Sequence, residues 1–185
     1  MSNVAIQLDY LGVLPRIVLK GPEVARWFRD QSIALPVDTF SVVSIADDSW
    51  IARLGAAEFL VEGGAESDLV SRLETKLSPL PAGVFLVPRS DVTFVLAGPE
   101  ARSVFLQTCA INFRLASPQR VVFSRVAGVS CGILPQVSGD GIKYRLWVEF
   151  SYAAYLWETL VGIVSELGGI TCPQSSHASA VHNSC

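Results

Sequence analysis

The side chains best suited to chemistry in this chain sit near its C-terminal end, where Cys172, His177, His182 and Cys185 bring together both histidines and two of the four cysteines. Thiolate and imidazole are zinc ligands, and C-x4-H-x4-H-x2-C contains the four donors that a tetrahedral site takes. The spacing matches no finger pattern, and no glycine or apolar residue is placed to fold the segment around an ion, so the expectation is a tail without a metal. No histidine lies outside that tail. Neither a Cys-His pair nor a Ser-His-Asp triad can therefore be assembled in the body of the chain. Asp47 and Asp48 are the only adjacent carboxylates, and Asp-Asp-Ser reads first as a turn between two strands, where short acidic side chains hydrogen-bond local amides. The glycine pairs Gly63-Gly64 and Gly168-Gly169 fall beside helix ends and form neither the G-x-G-x-x-G nor the Walker-type phosphate cradle. The body of the chain thus presents no catalytic residue, no cofactor-binding residue and no metal ligand.

The elements that would position any site come in two copies. Ile17-Val18-Leu19-Lys20-Gly21-Pro22-Glu23-Val24-Ala25-Arg26-Trp27-Phe28 aligns without gaps on Phe94-Val95-Leu96-Ala97-Gly98-Pro99-Glu100-Ala101-Arg102-Ser103-Val104-Phe105. In each copy a β-branched or aromatic run ends at Gly-Pro-Glu, where proline suits the first helical position and glutamate suits the positive helix N-terminus. Val24, Trp27 and Phe28, like Ala101, Val104 and Phe105, have the i, i+3, i+4 spacing of one buried face. Strands are predicted at 42–46, 50–54 and 58–61 in the first half and at 121–126, 132–137 and 143–150 in the second. Gly55-Ala56-Ala57 and Ser138-Gly139-Asp140-Gly141 serve as turns that tolerate positive φ. A longer helix closes each half, at about 65–77 before Pro79 and Pro81, and at about 152–167 with Ser151 as its N-cap. The pattern βαβββα occurs twice, which predicts an α+β domain of antiparallel sheet with helices packed on it, an internal twofold relating about 13–80 to 90–168. Residues 1–170 form one domain in this reading, and 171–185 a disordered Ser/Ala/His tail.

With 185 residues, 14 Lys plus Arg, 17 Asp plus Glu and a net charge of -3, the chain is no candidate for nucleic-acid binding, which needs a basic stripe. Charged residues make up only 17% against about 25% in ordinary globular chains, so apolar surface is in excess for one domain. No segment reaches the roughly 18 consecutive apolar residues of a spanning helix, since Glu149 and Glu158 interrupt the greasiest stretch. No basic n-region precedes Asp9, so a cytoplasmic protein with reduced thiols at Cys109 and Cys131 is expected. The second long helix is apolar over about 200° of its circumference, roughly twice the arc that a sheet-facing stripe needs. One side of that arc is expected to pack on the domain's own sheet. The remainder, with Trp157, Val161 and Val164, is expected to meet another chain, or a second copy if the protein is an independent homo-oligomeric binding module; the alternative is a helix sandwiched inside the domain.

Three stretches together carry a family resemblance: Leu54-Gly55-Ala56-Ala57-Glu58-Phe59-Leu60-Val61, Asp91-Val92-Thr93-Phe94-Val95-Leu96-Ala97-Gly98-Pro99-Glu100-Ala101-Arg102, and Tyr144-Arg145-Leu146-Trp147-Val148-Glu149-Phe150-Ser151-Tyr152-Ala153-Ala154-Tyr155-Leu156-Trp157. In this order they resemble the gamma subunit of heterotetrameric sarcosine oxidase, a subunit type shared with related N-methyl amino acid dehydrogenases. The resemblance runs from about Arg16 to Gly168. It implies a fold similar to the tetrahydrofolate-binding domain of the glycine-cleavage aminomethyltransferase. It also implies a non-catalytic subunit with no cofactor of its own, the flavins, NAD and folate lying on larger flavoprotein partners. An enzymatic alternative comes from the same quarter: Asp47-Asp48-Ser49-Trp50-Ile51-Ala52-Arg53-Leu54-Gly55 resembles the aminomethyltransferase segment with its catalytic aspartate. There Asp47 or Asp48 would hold a folate nitrogen. Ser44-Ile45-Ala46 replaces the glycines usual before that pair, and the K-G-C-Y-x-G-Q-E motif of the folate-dependent iron–sulfur repair relatives is absent.

Overall fold

The computed structural model describes residues 4–139 and 141–173. Its elements include two copies of βαβββα: β2 (Arg16–Lys20), α1 (Val24–Asp30), β3 (Val42–Ser44), β4 (Trp50–Gly55), β5 (Glu58–Glu62) and α2 (Leu69–Lys76), then β7 (Asp91–Ala97), α3 (Ala101–Thr108), β8 (Val122–Val126), β9 (Val129–Ser138), β10 (Gly141–Glu149) and α4 (Ala153–Glu166). The pattern predicts none of the three other strands, β1 (Gln7–Val13), β6 (Phe85–Pro88) and β11 (Ile170–Cys172). The fold class is α+β, and the described residues group into two compact units. One is Val13–Asp91 with Gln119–Val122; the other, among the described residues, is 4–12, Val92–Pro118, 123–139 and 141–173.

The first unit holds a five-stranded sheet in the order β3-β4-β5-β2-β6, with every neighbouring pair antiparallel. Side chains alternate across a strand, so Ile17 and Leu19, Ile51, and Phe59 and Val61 share one face. They form a core with Val24, Trp27 and Phe28 of α1 and Leu69, Val70 and Leu73 of α2. The opposite face, with Arg16, Val18, Trp50, Ala52, Leu60 and Glu62, is buried as well. The second unit holds a six-stranded sheet, β11-β1-β7-β10-β9-β8, in which β1 and β11 run parallel and β9 and β10 antiparallel. Its core takes Ala101, Val104 and Phe105 from α3 and Ala153, Leu156, Leu160 and Val164 from α4.

Gly-Pro-Glu enters the helix in both copies by one device. Helix α1 starts at Val24 and α3 at Ala101, so each glutamate is the cap residue and each proline precedes it, two positions before the N1 position expected. Gly21 and Gly98 have φ of +124° and +103°. A Cβ on Gly21 would run into the Gly83 carbonyl, and one on Gly98 would lie 2.5 Å from the Ala5 carbonyl oxygen. Those same carbonyls accept from the cap amides, Glu23 N–H at 3.2 Å and Glu100 N–H at 3.0 Å. The duplication thus extends to the backbone hydrogen bond that sets each helix's entry angle.

Four expectations need correction. Thr171 and Cys172, read as tail, belong to β11, where hydrogen bonding to β1 orders them. Residues 174–185 lie outside the described residues. The helix expected at 65–77 begins only at Leu69, because Ser67 N–H bonds Gly64 O at 3.1 Å and holds the preceding residues in a turn. Ser151 does not cap α4: it lies in a 3₁₀ turn, Phe150–Tyr152, whose amide at Ser151 is capped by Glu149 Oε2 at 3.1 Å. The β4–β5 turn has no positive φ at Gly55, Ala56 or Ala57, a bulge between Arg53 and Gly55 taking up the irregularity, whereas Gly139 of the β9–β10 hairpin has φ +60°.

Substituting either turn glycine by alanine is expected to destabilise the protein by about 2 kcal/mol or more, since the left-handed strain alone costs about 1–3 kcal/mol and the carbonyl must also move. Urea titrations of Gly21→Ala and Gly98→Ala check this. Wild-type midpoints would show that the carbonyl contacts do not constrain these turns.

Candidate functional site

The pairing register of the first unit sets three unlike side chains in one row. Trp50 of β4 faces Glu62 of β5, and Glu62 faces Arg16 of β2. Trp50 Nε1–H donates to Glu62 Oε1 at 3.1 Å, and Arg16 donates through Nε at 2.9 Å, and through Nη2, to Glu62 Oε2. Arg16 Nη1 lies 3.2 Å from Asp91 Oδ2, and Arg89 clasps Asp91 with Nε and Nη2 at 2.9 and 3.1 Å. Two cations and two anions alternate along the row, so it is formally neutral. Arg16, Glu62 and Asp91 are all under 5% exposed. A buried ion pair recovers its desolvation only when its remaining donors and acceptors are engaged, and the indole and the second arginine engage them here. This is a structural device: Trp50, Glu62, Arg16, Asp91 and Arg89 are tied to one another in sequence along the row. Sequence reasoning missed it, although a charge at each end of the apolar runs Arg16–Lys20 and Glu58–Glu62 was a visible signal.

Asp47 and Asp48 sit where the turn reading puts them, between β3 and β4, with φ of +58° and +56°. Two consecutive left-handed residues make a type I′ turn, closed by Ser49 N–H to Ala46 O at 3.2 Å. The turn is held from below by Ser49, 1% exposed, whose hydroxyl donates to Ser67 Oγ at 2.8 Å and accepts from Gly64 N–H at 3.1 Å. Both aspartates are exposed. Of the tail's four residues of metal-ligand type, Cys172 lies in β11, and His177, His182 and Cys185 are outside the described residues. Burial pushes the Cys131 thiol up to about 12, which leaves it a small apolar side chain at neutral pH.

Helix α4 divides its wide apolar arc in a specific way. Ala153, Leu156, Leu160 and Val164 are buried, so Val164 belongs to the inward stripe and not to a free face. Trp157 and Val161 are half-buried. The Trp157 ring stacks on Phe94 at 5.9 Å and meets Tyr10 edge-on at 5.3 Å, so β1 and β7 of its own unit take up part of it. Exposed aromatic surface concentrates at the start of the helix, in Phe150, Tyr152 and Tyr155, each more than half exposed. The Tyr155 hydroxyl donates to Ala127 O at 3.1 Å.

No family model matches this chain, and no curated protein matches it. Solved structures do. One chain of the heterotetrameric sarcosine oxidase from Corynebacterium sp. U-96, solved in complex with pyrrole 2-carboxylate, superposes with a TM-score of 0.72 at 18% identity, covering 92% of this chain and 89% of that one. The glycine cleavage system aminomethyltransferase T from Bartonella henselae superposes with a TM-score of 0.68 at 16% identity, covering 87% of this chain and 46% of that one. The fold is aminomethyltransferase-like. This chain spans about half the length of the aminomethyltransferase and nearly the whole of the sarcosine oxidase chain. At these identities the likeness is one of fold. No described helix is long and apolar enough to cross a membrane.

Two outcomes follow. Arg16→Met leaves Glu62 and Asp91 as buried, under-compensated carboxylates and is expected to cost about 3–5 kcal/mol; Trp50→Phe, which removes one donor from Glu62, is expected to cost about 1–2 kcal/mol. Chemical denaturation with both variants tests that order, and a reversed ranking would remove the arginine from the centre of the network. Separately, iodoacetamide at pH 8 should leave Cys131 unmodified in peptide maps of the native protein and alkylate it once urea is added; rapid native labelling would contradict its burial.

Proposed function

We propose that this chain is the gamma-type, non-catalytic subunit of a heteromeric flavoenzyme that oxidatively demethylates sarcosine or a similar N-methyl amino acid, with the one-carbon unit passed to tetrahydrofolate. The observation that carries the reading is the nearly end-to-end superposition on one chain of a heterotetrameric sarcosine oxidase. Two features of the molecule agree. Its most heavily built polar cluster is inward-facing and structural, and it presents Phe150, Tyr152 and Tyr155 together on the surface, the residue type that anchors interface cores. In this reading flavin, NAD and folate are held by the larger subunits, and this chain contributes buried apolar area to them.

Co-expression with large flavoprotein subunits, preferably those encoded beside it, tests the assignment. The chain is expected to co-purify in a fixed ratio. Phe150→Arg combined with Tyr152→Arg is expected to leave the isolated chain folded, within about 0.5 kcal/mol of wild type, and to weaken assembly at least about tenfold. A flavoenzyme that assembles and turns over without this chain would remove the subunit role. Tetrahydrofolate binding by the isolated chain that Asp47→Ala abolishes would replace that role with the aminomethyltransferase-like alternative.

A further inference from the structure

The second unit contains an open pocket of about 690 Å³, within the usual range for small-molecule sites. The β7–α3 turn borders it with Gly98 and Pro99, the first turn of α3 with Arg102, and the β9–β10 hairpin with Ser138, Lys143 and Tyr144. The duplication supplies an internal comparison. The strand that leads into α1 ends in Lys20, which pairs with Glu58 at 3.0 Å. The strand that leads into α3 ends in Ala97, a methyl group bordering open space. Arg102 borders that space with its positive charge, and no Asp or Glu lines it among the described residues. Glu100, next to Pro99, accepts from Ser103 Oγ at 2.9 Å.

Tyr144 adds an observation independent of charge. Its ring packs edge-on against Phe105 at 5.0 Å and Phe113 at 5.5 Å, leaving the residue 2% exposed. Its hydroxyl has no hydrogen-bond partner among the described residues. A buried donor without an acceptor bears its desolvation uncompensated, and the acceptor that fits beside an arginine is an oxyanion. Burial raises the phenol's pKa, more than the neighbouring Arg102 charge lowers it, so the group remains a proton donor at neutral pH.

We propose that this pocket binds a small organic anion through a carboxylate or phosphate group, with Arg102 pairing with the charge and the Tyr144 hydroxyl donating to it. The N-terminal turn of α3 adds its dipole. The site is built within one unit and stands whether or not the chain assembles with flavoprotein partners.

Calorimetric titration of the full chain at low salt, with citrate in one arm and phenyl phosphate in the other, tests the site and distinguishes the two oxyanions. At least one probe is expected to bind with a dissociation constant of about 1 mM or tighter. Arg102→Gln is expected to weaken that binding about tenfold or more. Tyr144→Phe keeps the ring and its packing, so it is expected to weaken binding several-fold while raising the Tm of the ligand-free protein by about 2 °C, because the unpartnered hydroxyl is gone. No heat from either probe at about 10 mM, or binding that both variants leave unchanged, would overturn the proposal.

Discussion

The ion row from Trp50 through Glu62 and Arg16 to Asp91 constrains the whole first unit. A sheet buried on both faces could shift its register by two residues and still present apolar side chains to each side. With Arg16 and Glu62 facing each other on β2 and β5, any such shift strands a charge in the interior. One pair therefore fixes the alignment of the central strands, and Asp91 carries the same constraint to the start of β7, where the second copy of the repeat begins. The packing of α1 and α2 on Ile17, Leu19, Phe59 and Val61 follows from that alignment.

The two copies keep their architecture and differ in detail. Both use a positive-φ glycine, a proline and a capping glutamate to turn a strand into a helix, and both seat that helix by the same three positions. In the first copy the strand end is closed by the Lys20–Glu58 pair, and its β4–β5 turn is short. In the second, Ala97 and the longer β9–β10 hairpin border an open pocket that Arg102 also lines, and Trp147 covers Gly132 directly across the ladder, where no side chain larger than hydrogen fits. A duplicated framework can thus carry a purely structural copy beside one with room for a ligand.

Most of the framework was legible because local signals dictate it. Gly-Pro-Glu, the i, i+3, i+4 spacing and the hairpin turns gave both βαβββα copies in the right order. The strands β1, β6 and β11 were not legible, for different reasons. Gln7–Val13 mixes polar residues and glycine, Phe85–Pro88 is a four-residue edge strand ending in proline, and Ile170–Cys172 is too short to show a period. The ion row and the pocket were invisible for one shared reason. Arg16 and Glu62, like Arg102 and Tyr144, are far apart in sequence, and only strand pairing and helix packing bring them together. The apolar arc of α4 was readable as a pattern. How much of it Tyr10 and Phe94 would take up depended on β1, a strand not foreseen.

The strand order has a further consequence for biosynthesis. Strand β1 leads into β2 yet sits in the six-stranded sheet between β7 and β11, while β6, which leads into β7, completes the five-stranded sheet. A nascent chain that has released everything up to α2 can begin to assemble the first sheet, but β1 must wait for Asp91–Ala97 to leave the ribosome and for Ile170–Cys172 to follow. Through that interval its hydrogen-bonding edges and Leu8 are without their final neighbours, so the segment made earliest among the described strands is one of the last to be shielded, and the one that a chaperone would have longest to hold.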